Sequence, residues 1–321
     1  MSLGAEEIYP IELAAPDISA WRAGNTGIPY MTTLDSGLPG PHAMVLAVTH
    51  GNELCGVLAV VSLFETGFQP ALGRVTLGFA NVTAYERFDP AEPGLSRYVE
   101  EDFNRVWDDA SLNGTRRTVE LDRAREIRPL VDTVDYLLDI HSMQHATEPL
   151  MLAGTTAKGT ALARRVGVPR LIVQDSGHSA GRRLRDYGAF GDPAAAQAAL
   201  LVECGQHWER SSADIAWSTT IRFLDSLQML APDYRARHLP TAAPAPQCAI
   251  EVTETVTITS DRFRFLRDYR GQEVIPEAGT LLGIDDTREI RTPYPDCVLI
   301  MPSRRLIRGQ TAVRLGRFVQ T

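Results

Sequence analysis

Apolar runs of different length and period fill the first 230 residues, and they predict strands joined by helices. Residues 43–48 are six apolar residues in a row, which is typical of a buried strand. Residues 54–64 form a longer apolar stretch that predicts a helix, and residues 74–80 alternate as a strand does. This order of strand, helix and strand predicts an α/β fold with a mainly parallel or mixed sheet flanked by helices.

Two long stretches, residues 81–107 and 175–192, interrupt the periodic pattern. The first contains aromatic and arginine side chains in numbers too high for simple disorder, so we interpret it as a binding loop. The second is rich in glycine, serine and arginine, and we interpret it as a surface loop. Between and after them we predict strands at residues 135–140, 149–153, 170–174 and 199–202, and helices at residues 120–130, 160–166 and 212–230.

The pattern and composition of the sequence change after residue 237. Residues 1–237 carry the α/β pattern and are predicted to form the catalytic domain. Residues 238–248, rich in proline and alanine, are predicted to be a linker. Residues 249–321 contain short alternating strands separated by turns, which predicts a small all-β domain.

Composition narrows the choice of environment and partner. The net charge of −8 argues against a general affinity for nucleic acid or for acidic membranes. No apolar run approaches the roughly 18 residues of a membrane helix, and the acidic start does not resemble a secretory signal. The four cysteines are far apart, and we interpret Cys55 and Cys204 as reduced core residues of a cytoplasmic protein.

Three predicted strands lead directly to residues that can bind a metal ion or transfer a proton. His50 and Glu53 follow the first, His141 follows another, and Glu203 follows a third. Because a site in an open α/β sheet lies beyond the carboxyl ends of the strands, these residues can converge. Two histidines and a glutamate leave one coordination place for water, which is typical of catalytic zinc. The alternative is a turn histidine beside a glutamate favoured at a helix start.

A carboxylate and guanidinium groups near such a metal would complete a hydrolytic site. Glu203 could take a proton from water and later give it to a leaving amine, although a strand-end salt bridge is the simpler alternative. Guanidinium groups of residues 81–107 could stabilise an oxyanion or clamp a substrate carboxylate. The alternative for this loop is a structural role, in which Asp102 and Glu101 tie it down.

Four short motifs resemble the succinylglutamate desuccinylase/aspartoacylase family, a branch of the zinc carboxypeptidase superfamily. They occur in the family's order, as HGNE at 50–53, SRYVEEDFNR at 96–105, DIH at 139–141 and VECG at 202–205. The resemblance covers roughly residues 43–210. It implies a zinc carboxypeptidase-like fold and hydrolysis of a small acidic N-acyl amino acid at its amide bond. It also implies one zinc ion per chain, held by His50, Glu53 and His141, with Glu203 as general base and acid.

The resemblance also implies roles for residues of the predicted binding loop. Arg97 is similar to the arginine that polarises the scissile carbonyl. Asn104 and Arg105 resemble the pair that holds the substrate carboxylate, and Asn81 matches an asparagine near the site. The family usually has leucine where Phe103 stands.

Residues that set specificity are less well defined by the motifs. Some family members place an arginine for an acidic acyl group in the second loop, and we predict Arg182 for this role, with Arg183 and Arg185 as alternatives. Other members complete the pocket with a tyrosine from the C-terminal domain. We predict Tyr294, with Tyr269 as the alternative.

Two other classes of function stay open at this stage. One is a zinc carboxypeptidase acting on short peptides, and the other is a non-catalytic zinc-binding regulatory protein. An intact Glu203 argues against the latter, because a binding module has no need of a base. The family's habit implies a homo-oligomer, whereas the residues themselves predict no oligomeric state.

Overall fold

A mixed sheet of eleven strands runs through the computed structural model, which describes residues 9–319. Seven of its strands belong to the N-terminal region: β1 (Met31–Asp35), β2 (His42–Ala47), β3 (Arg74–Phe79), β4 (Tyr136–Met143), β5 (Leu150–Leu152), β6 (Leu171–Gln174) and β7 (Ala198–Gln206). The strands β3, β2, β4 and β7 are neighbours and run parallel. Every residue of β2 is buried, as expected for a parallel strand covered on both faces.

Helices cover both faces of this sheet. They are α1 (Leu54–Glu65), α2 (Val82–Tyr85), α3 (Asp109–Asn113), α4 (Val119–Val131), α5 (Ala157–Val166), α6 (Arg210–Ser226) and α7 (Pro232–His238). The apolar sides of α1, α5 and α6 share one core with the sheet. The apolar side of α4 packs into a second core, together with Phe103 and Trp107 of the predicted binding loop. The predicted α/β architecture is therefore confirmed.

Two of the predicted strands continue further than their apolar runs. The prediction ended one strand at residue 140, but β4 includes His141 and reaches Met143. Likewise β7 includes Glu203 and reaches Gln206. His141 and Glu203 are direct partners in the parallel register of β4 and β7, so ladder pairing carries both strands past the point where the apolar pattern stops.

The C-terminal region is all-β, as predicted, and it extends the same sheet. Its strands are β8 (Cys248–Thr257), β9 (Arg264–Phe265), β10 (Val274–Ile275), β11 (Leu281–Asp285), β12 (Arg288–Arg291), β13 (Cys297–Ile300) and β14 (Thr311–Val319). β8 pairs in parallel with β6, and β14, β13 and β10 follow it to the sheet edge. β12, β11 and β9 form a separate small sheet. Residues 239–247 carry no helix or strand, and the domain boundaries at 237 and 249 stay a prediction.

The four cysteines all lie in the described part of the chain and are free, as predicted for Cys55 and Cys204, which are buried. Within residues 9–319, no helix combines the length and the apolar character that a membrane crossing needs. The acidic start that we judged unlike a secretory signal lies outside the described residues.

Candidate metal centre and active site

A strained turn follows β2 at the carboxyl end of the sheet. Val48 has a φ of 64°, which a β-branched residue rarely adopts and which costs on the order of 1–3 kcal/mol. Gly51 leaves no room for a side chain, because a Cβ there would lie 2.3 Å from the carbonyl oxygen of Ser96. Its N–H donates to the carbonyl oxygen of Arg97 at 3.1 Å. The turn and the predicted binding loop are thus packed backbone to backbone.

His50, Glu53 and His141 form a buried cluster at this edge of the sheet. We call these three side chains the metal cluster, because their ligand atoms suit a metal ion. Each offers one ligand atom, and these atoms lie within 4.8 Å of one another. Glu53 Oε1 lies 2.8 Å from Nδ1 of His50, and Glu53 Oε2 lies 2.9 Å from Nδ1 of His141. Glu53 Oε2 is buried and has no partner with hydrogen-bond geometry among the described residues. Two imidazole nitrogens and a carboxylate converging on one point fit a metal ion such as zinc.

Two aspartates lie behind the imidazole rings. Asp139 Oδ2 lies 2.8 Å from Nε2 of His141, and Asp139 Oδ1 accepts a hydrogen bond from Thr49 at 2.7 Å. Asp102 Oδ1 lies 3.0 Å from Nε2 of His50. Carboxylates in this position fix the orientation of ligand imidazoles and raise their basicity. Both Nδ1 atoms are therefore directed at Glu53.

The charges of this cluster stabilise one another. Burial disfavours the ionised form of Glu53, but the neighbouring His50 and His141 outweigh it and hold the pKa of Glu53 well below its usual range. Burial lowers the pKa of His141, but the charges of Asp139 and Glu53 outweigh it and hold that pKa well above its usual range. A metal ion would compete with these protons, because ligand imidazoles must be neutral.

Glu203 shares the cavity with this cluster. It is 7% exposed and lies across the β4–β7 ladder from His141. Burial, opposed by the charge of His141 and reinforced by that of Glu53, raises its pKa to about 8. Its Oε2 has no hydrogen-bond partner among the described residues. A buried carboxylate that titrates near neutral pH is suited to proton transfer.

Arg97 lies over the metal cluster. Its Nη2 is 2.9 Å from Nε2 of His50 and donates to Asp102 Oδ2 at 3.1 Å. Its Nη1 is 3.6 Å from Glu53 Oε1. The side chain keeps 28% of its surface exposed, so one side of the guanidinium faces the cavity.

Asn104 and Arg105 line the same cavity. The side chain of Asp102 caps the turn that carries them by accepting from the N–H of Asn104 at 2.9 Å. Asn104 Oδ1 accepts from the N–H of Leu184 at 2.9 Å, which ties the first loop to the second. Arg105 Nη1 donates to the carbonyl oxygen of Asn104 at 2.8 Å, and it lies 4.0 Å from Asp102 Oδ1.

Asn81 lies outside the cavity lining, contrary to the role that the resemblance implied. Its side chain donates to Glu120 Oε1 at 3.1 Å. The same carboxylate accepts backbone N–H groups of Val99, Glu100 and Glu101. Asn81 and Glu120 therefore hold the backbone of residues 99–101 in place. The influence of Asn81 on the site is indirect.

The second loop places its three arginines in different environments. Arg182 is exposed and does not line the cavity, which corrects our choice of this residue. Its backbone forms a bridge with Val106, and that pairing turns its side chain outward. Arg183 is buried and lines the cavity. Arg185 is buried behind the wall, where it donates to the carbonyl oxygens of Ala153 and Ala199 at 3.0 Å.

The two candidate tyrosines also differ in position. Tyr294 hydrogen-bonds Thr253 Oγ1 at 2.6 Å and packs on the C-terminal core, away from the cavity. Its selection was wrong because the alternation of strands in this region gave no indication of which end faces the site. Tyr269, our alternative, lines the cavity and lies under the guanidinium of Arg267.

The fold brings to the site several residues that lie outside the catalytic and ligand roles assigned from the sequence. Asp139 stands inside the DIH motif, and its position two residues before His141 was the available signal. His207 and Ser142 line the cavity and hydrogen-bond each other at 2.8 Å. Arg314 reaches the cavity from β14, and no sequence signal distinguished it from the other arginines of that region.

The cavity has a volume of about 580 Å³, within the usual range of ligand sites. Both regions of the chain contribute to its walls, since Tyr269 and Arg314 face the metal cluster of the N-terminal region.

Comparison with known proteins gives the family. Residues 39–226 match the succinylglutamate desuccinylase/aspartoacylase catalytic domain. The chain belongs to this family. Its members are amide hydrolases, and the family match includes the metal cluster and Glu203. No curated protein sequence matches the chain significantly.

Several solved structures share the fold at low sequence identity. The succinylglutamate desuccinylase from Vibrio parahaemolyticus has 17% identity and a TM-score of 0.64, over 91% of this chain and 87% of its own. That from Vibrio cholerae has 17% identity and a TM-score of 0.65, over 90% and 85%. The product-bound ectoine utilization protein EutE from Ruegeria pomeroyi has 19% identity and a TM-score of 0.61, over 94% and 92%. The family fold thus extends through the C-terminal region.

Proposed function

We propose that this chain is a zinc-dependent hydrolase that cleaves a small acidic N-acyl amino acid at its amide bond. The observation that carries the proposal is the presence, in one cavity, of the buried His50, Glu53 and His141 cluster and the unpaired carboxylate of Glu203. Relatives of the same fold named succinylglutamate desuccinylase support the choice of an N-acyl amino acid.

His50, Glu53 and His141 would hold the zinc ion, and Asp102 and Asp139 would orient the two imidazoles. When bound, zinc supplies an activated water and a positive charge for the substrate carbonyl. The convergence of both Nδ1 atoms on the buried carboxylate of Glu53 supports this assignment, because these are the atoms that would bind the ion.

Glu203 acts as general base and then as general acid. Its pKa of about 8 lies close to neutral pH, where a carboxylate can both accept a proton from water and return one to the leaving amine. The burial that raises this pKa also limits the access of bulk water to the proton.

Arg97 binds and polarises the scissile carbonyl oxygen. Asn104 and Arg105 hold the substrate carboxylate. Because Asn104 Oδ1 is occupied by the N–H of Leu184, the amide NH₂ is the group that donates to the ligand. Arg105 adds a guanidinium, and its pKa is lowered to about 10 by burial and by nearby cations, so it stays charged at neutral pH.

A zinc carboxypeptidase acting on short peptides is the second candidate. The C-terminal region forms part of the cavity wall through Tyr269 and Arg314, which favours substrates that fit within the cavity over polymers. A non-catalytic zinc-binding protein is the third, and the raised pKa of the buried Glu203 speaks against it.

Metal analysis and hydrolysis assays on the purified protein test the proposal. We expect about one zinc per chain and turnover of N-acetyl or N-succinyl amino acids. Glu203→Gln should keep the zinc and lose about 10²–10⁴-fold in kcat, because the base is gone while the ligands remain. The matched control is Glu254→Gln, an exposed carboxylate of β8.

Different outcomes separate the candidates. Cleavage of dipeptides alone would assign a carboxypeptidase, and zinc without turnover of either class would assign a binding protein. Full activity of Glu203→Gln would remove the general-base role. Failure to bind zinc after it is added back would overturn the proposal as a whole.

A further inference from the structure

The last strand of the sheet sends a buried arginine into the cavity. Arg314 lies in β14, paired with Ile300 of β13 and Thr255 of β8, and it is only 3% exposed. The metal cluster and Glu203 come from the N-terminal region, so this guanidinium crosses from the C-terminal region to the same cavity. A buried arginine is expensive unless an anion or several acceptors surround it.

The acceptors around Arg314 are few. Its Nε donates to Asp175 Oδ2 at 3.0 Å, and its Nη2 lies 2.6 Å from Nε2 of His178. His178 also contacts Thr311, whose Oγ1 lies 3.0 Å from Nδ1, and Arg314 Nη2 lies 3.1 Å from the same nitrogen. Asp175 Oδ2 also accepts from Arg183 Nη1 at 2.8 Å, so one carboxylate oxygen serves two guanidiniums.

The wall formed by Arg105, Arg183 and Arg314 is rich in guanidinium groups, and we call it the arginine wall. Arg183 pairs with both Asp175 and Asp186, whereas Nη1 of Arg314 has no hydrogen-bond partner among the described residues. Burial lowers the pKa of Arg314, and the charge of Arg183 lowers it further against the effect of Asp175. Burial and these same cations hold the pKa of His178 far below its usual range, so its imidazole is neutral. A bound anion would relieve the repulsion within the arginine wall.

We propose that Arg314 and His178 form a second anion subsite, separate from Asn104 and Arg105, and that Arg314 selects substrates carrying a second carboxylate. This inference rests on the proposed function and adds a specificity residue from the C-terminal strand. The second carboxylate lies either on the acyl group or on the amino-acid side chain, and its recognition chemistry is the same in both cases.

Two substrate pairs test the inference in wild type and in Arg314→Met. N-succinyl-alanine is compared with N-butanoyl-alanine for the acyl group, and N-acetyl-glutamate with N-acetyl-glutamine for the side chain. Losing a charge-assisted contact should raise KM for the dianionic member of one pair by about 10- to 100-fold. The KM of its monoanionic partner should change little, and any change in kcat should be the same for both members, because Arg314 also lowers the pKa of Glu203.

Two further variants, one at a neighbouring arginine and one that keeps the charge, serve as controls for Arg314→Met. Arg317→Met alters an exposed arginine of the same strand, which pairs with Glu251, and should leave both KM values unchanged. Arg314→Lys keeps the charge but lacks the paired donors of the guanidinium. Its KM for the dianionic substrate should lie between those of wild type and Arg314→Met. If Arg314→Met is poorly folded, Arg314→Lys and the melting temperature of each variant still report on the subsite.

Calorimetric binding of succinate, compared with butanoate, separates this inference from the proposed function. Wild type should bind succinate more tightly, and Arg314→Met should lose that preference even if no substrate is hydrolysed. Equal changes in KM for both members of each pair in Arg314→Met would overturn the inference. So would an unchanged preference for succinate.

Discussion

The metal cluster and the arginine wall face each other across one cavity, yet they are built differently. The metal cluster stands on the ends of adjacent parallel strands and has an aspartate behind each imidazole. The arginine wall is assembled from two loops and the last strand, with Asp175 shared between two guanidiniums. One side presents ligand atoms for a cation, and the other presents guanidinium groups that suit an anion.

This difference shows how much of a site can be derived from strand order. Side chains at the carboxyl ends of parallel strands must meet, so their identity alone indicates the chemistry. Side chains from loops and from a distant strand meet only when the whole chain has folded, so their identity indicates little until the contacts are known.

Removing a ligand from the metal cluster should have the largest effect. In His141→Ala, the remaining two ligands bind zinc weakly, and both the zinc content and the hydrolytic activity should fall to background. Elemental analysis after dialysis measures the first, and the N-acyl amino acid assay the second. His238→Ala, in α7 and far from the cavity, is the control. Stoichiometric zinc in His141→Ala would contradict the ligand assignment.

A smaller effect is expected when an orienting carboxylate is neutralised. Asp139→Asn keeps the shape of the side chain but weakens its hold on Nε2 of His141, and zinc affinity or activity should fall by about 10–100-fold. Competition with a chelator measures the affinity. The control is Asp135→Asn, at the residue that precedes the amino end of β4. This variant loses a backbone contact with His42 and should leave zinc affinity unchanged. Equal zinc affinities in the two variants would argue against an orienting role for Asp139.

The smallest effect should appear in the C-terminal region, away from both walls. Asp285 accepts four hydrogen bonds from Thr259 and Ser260, which lower its pKa to about 2 despite the opposing effect of burial. Asp285→Asn should reduce the free energy of unfolding by about 1–3 kcal/mol, with zinc content unchanged. Urea denaturation measures this, and Asp286→Asn, at an exposed neighbour, is the control.

The pH dependence of that contribution has a definite sign. Because the folded pKa of Asp285 lies below the ordinary value of 3.8, its stabilisation is fully present above about pH 4 and is lost as the pH falls towards 2. The difference in stability between wild type and Asp285→Asn should shrink over that window. A constant difference from pH 7 to pH 2 would contradict the assignment.

The fold and the metal cluster were predictable from two features of the sequence. The period of the apolar residues indicates the helices and strands, and the residues at the strand ends indicate the site. The buried run of β2 and the polar residues after it led directly to His50 and Glu53, and the turn proved to be tight enough to require Gly51. Arg182 was the wrong choice among adjacent arginines, since a backbone bridge to Val106 decides which of them faces inward. Asn81 lies outside the cavity and is connected to the site through Glu120, 39 residues away, and through its N–H, which donates to the carbonyl oxygen of Val48.

The continuous sheet has a mechanical consequence for the cavity. β8 is joined to β6 by a four-residue ladder, and β14 is joined to β8 along most of its length. A hinge between the two regions would have to break this ladder, so the C-terminal region does not swing open as a domain. This ladder restrains the separation between the metal cluster and Arg314, and so it limits the length of a molecule that can span them.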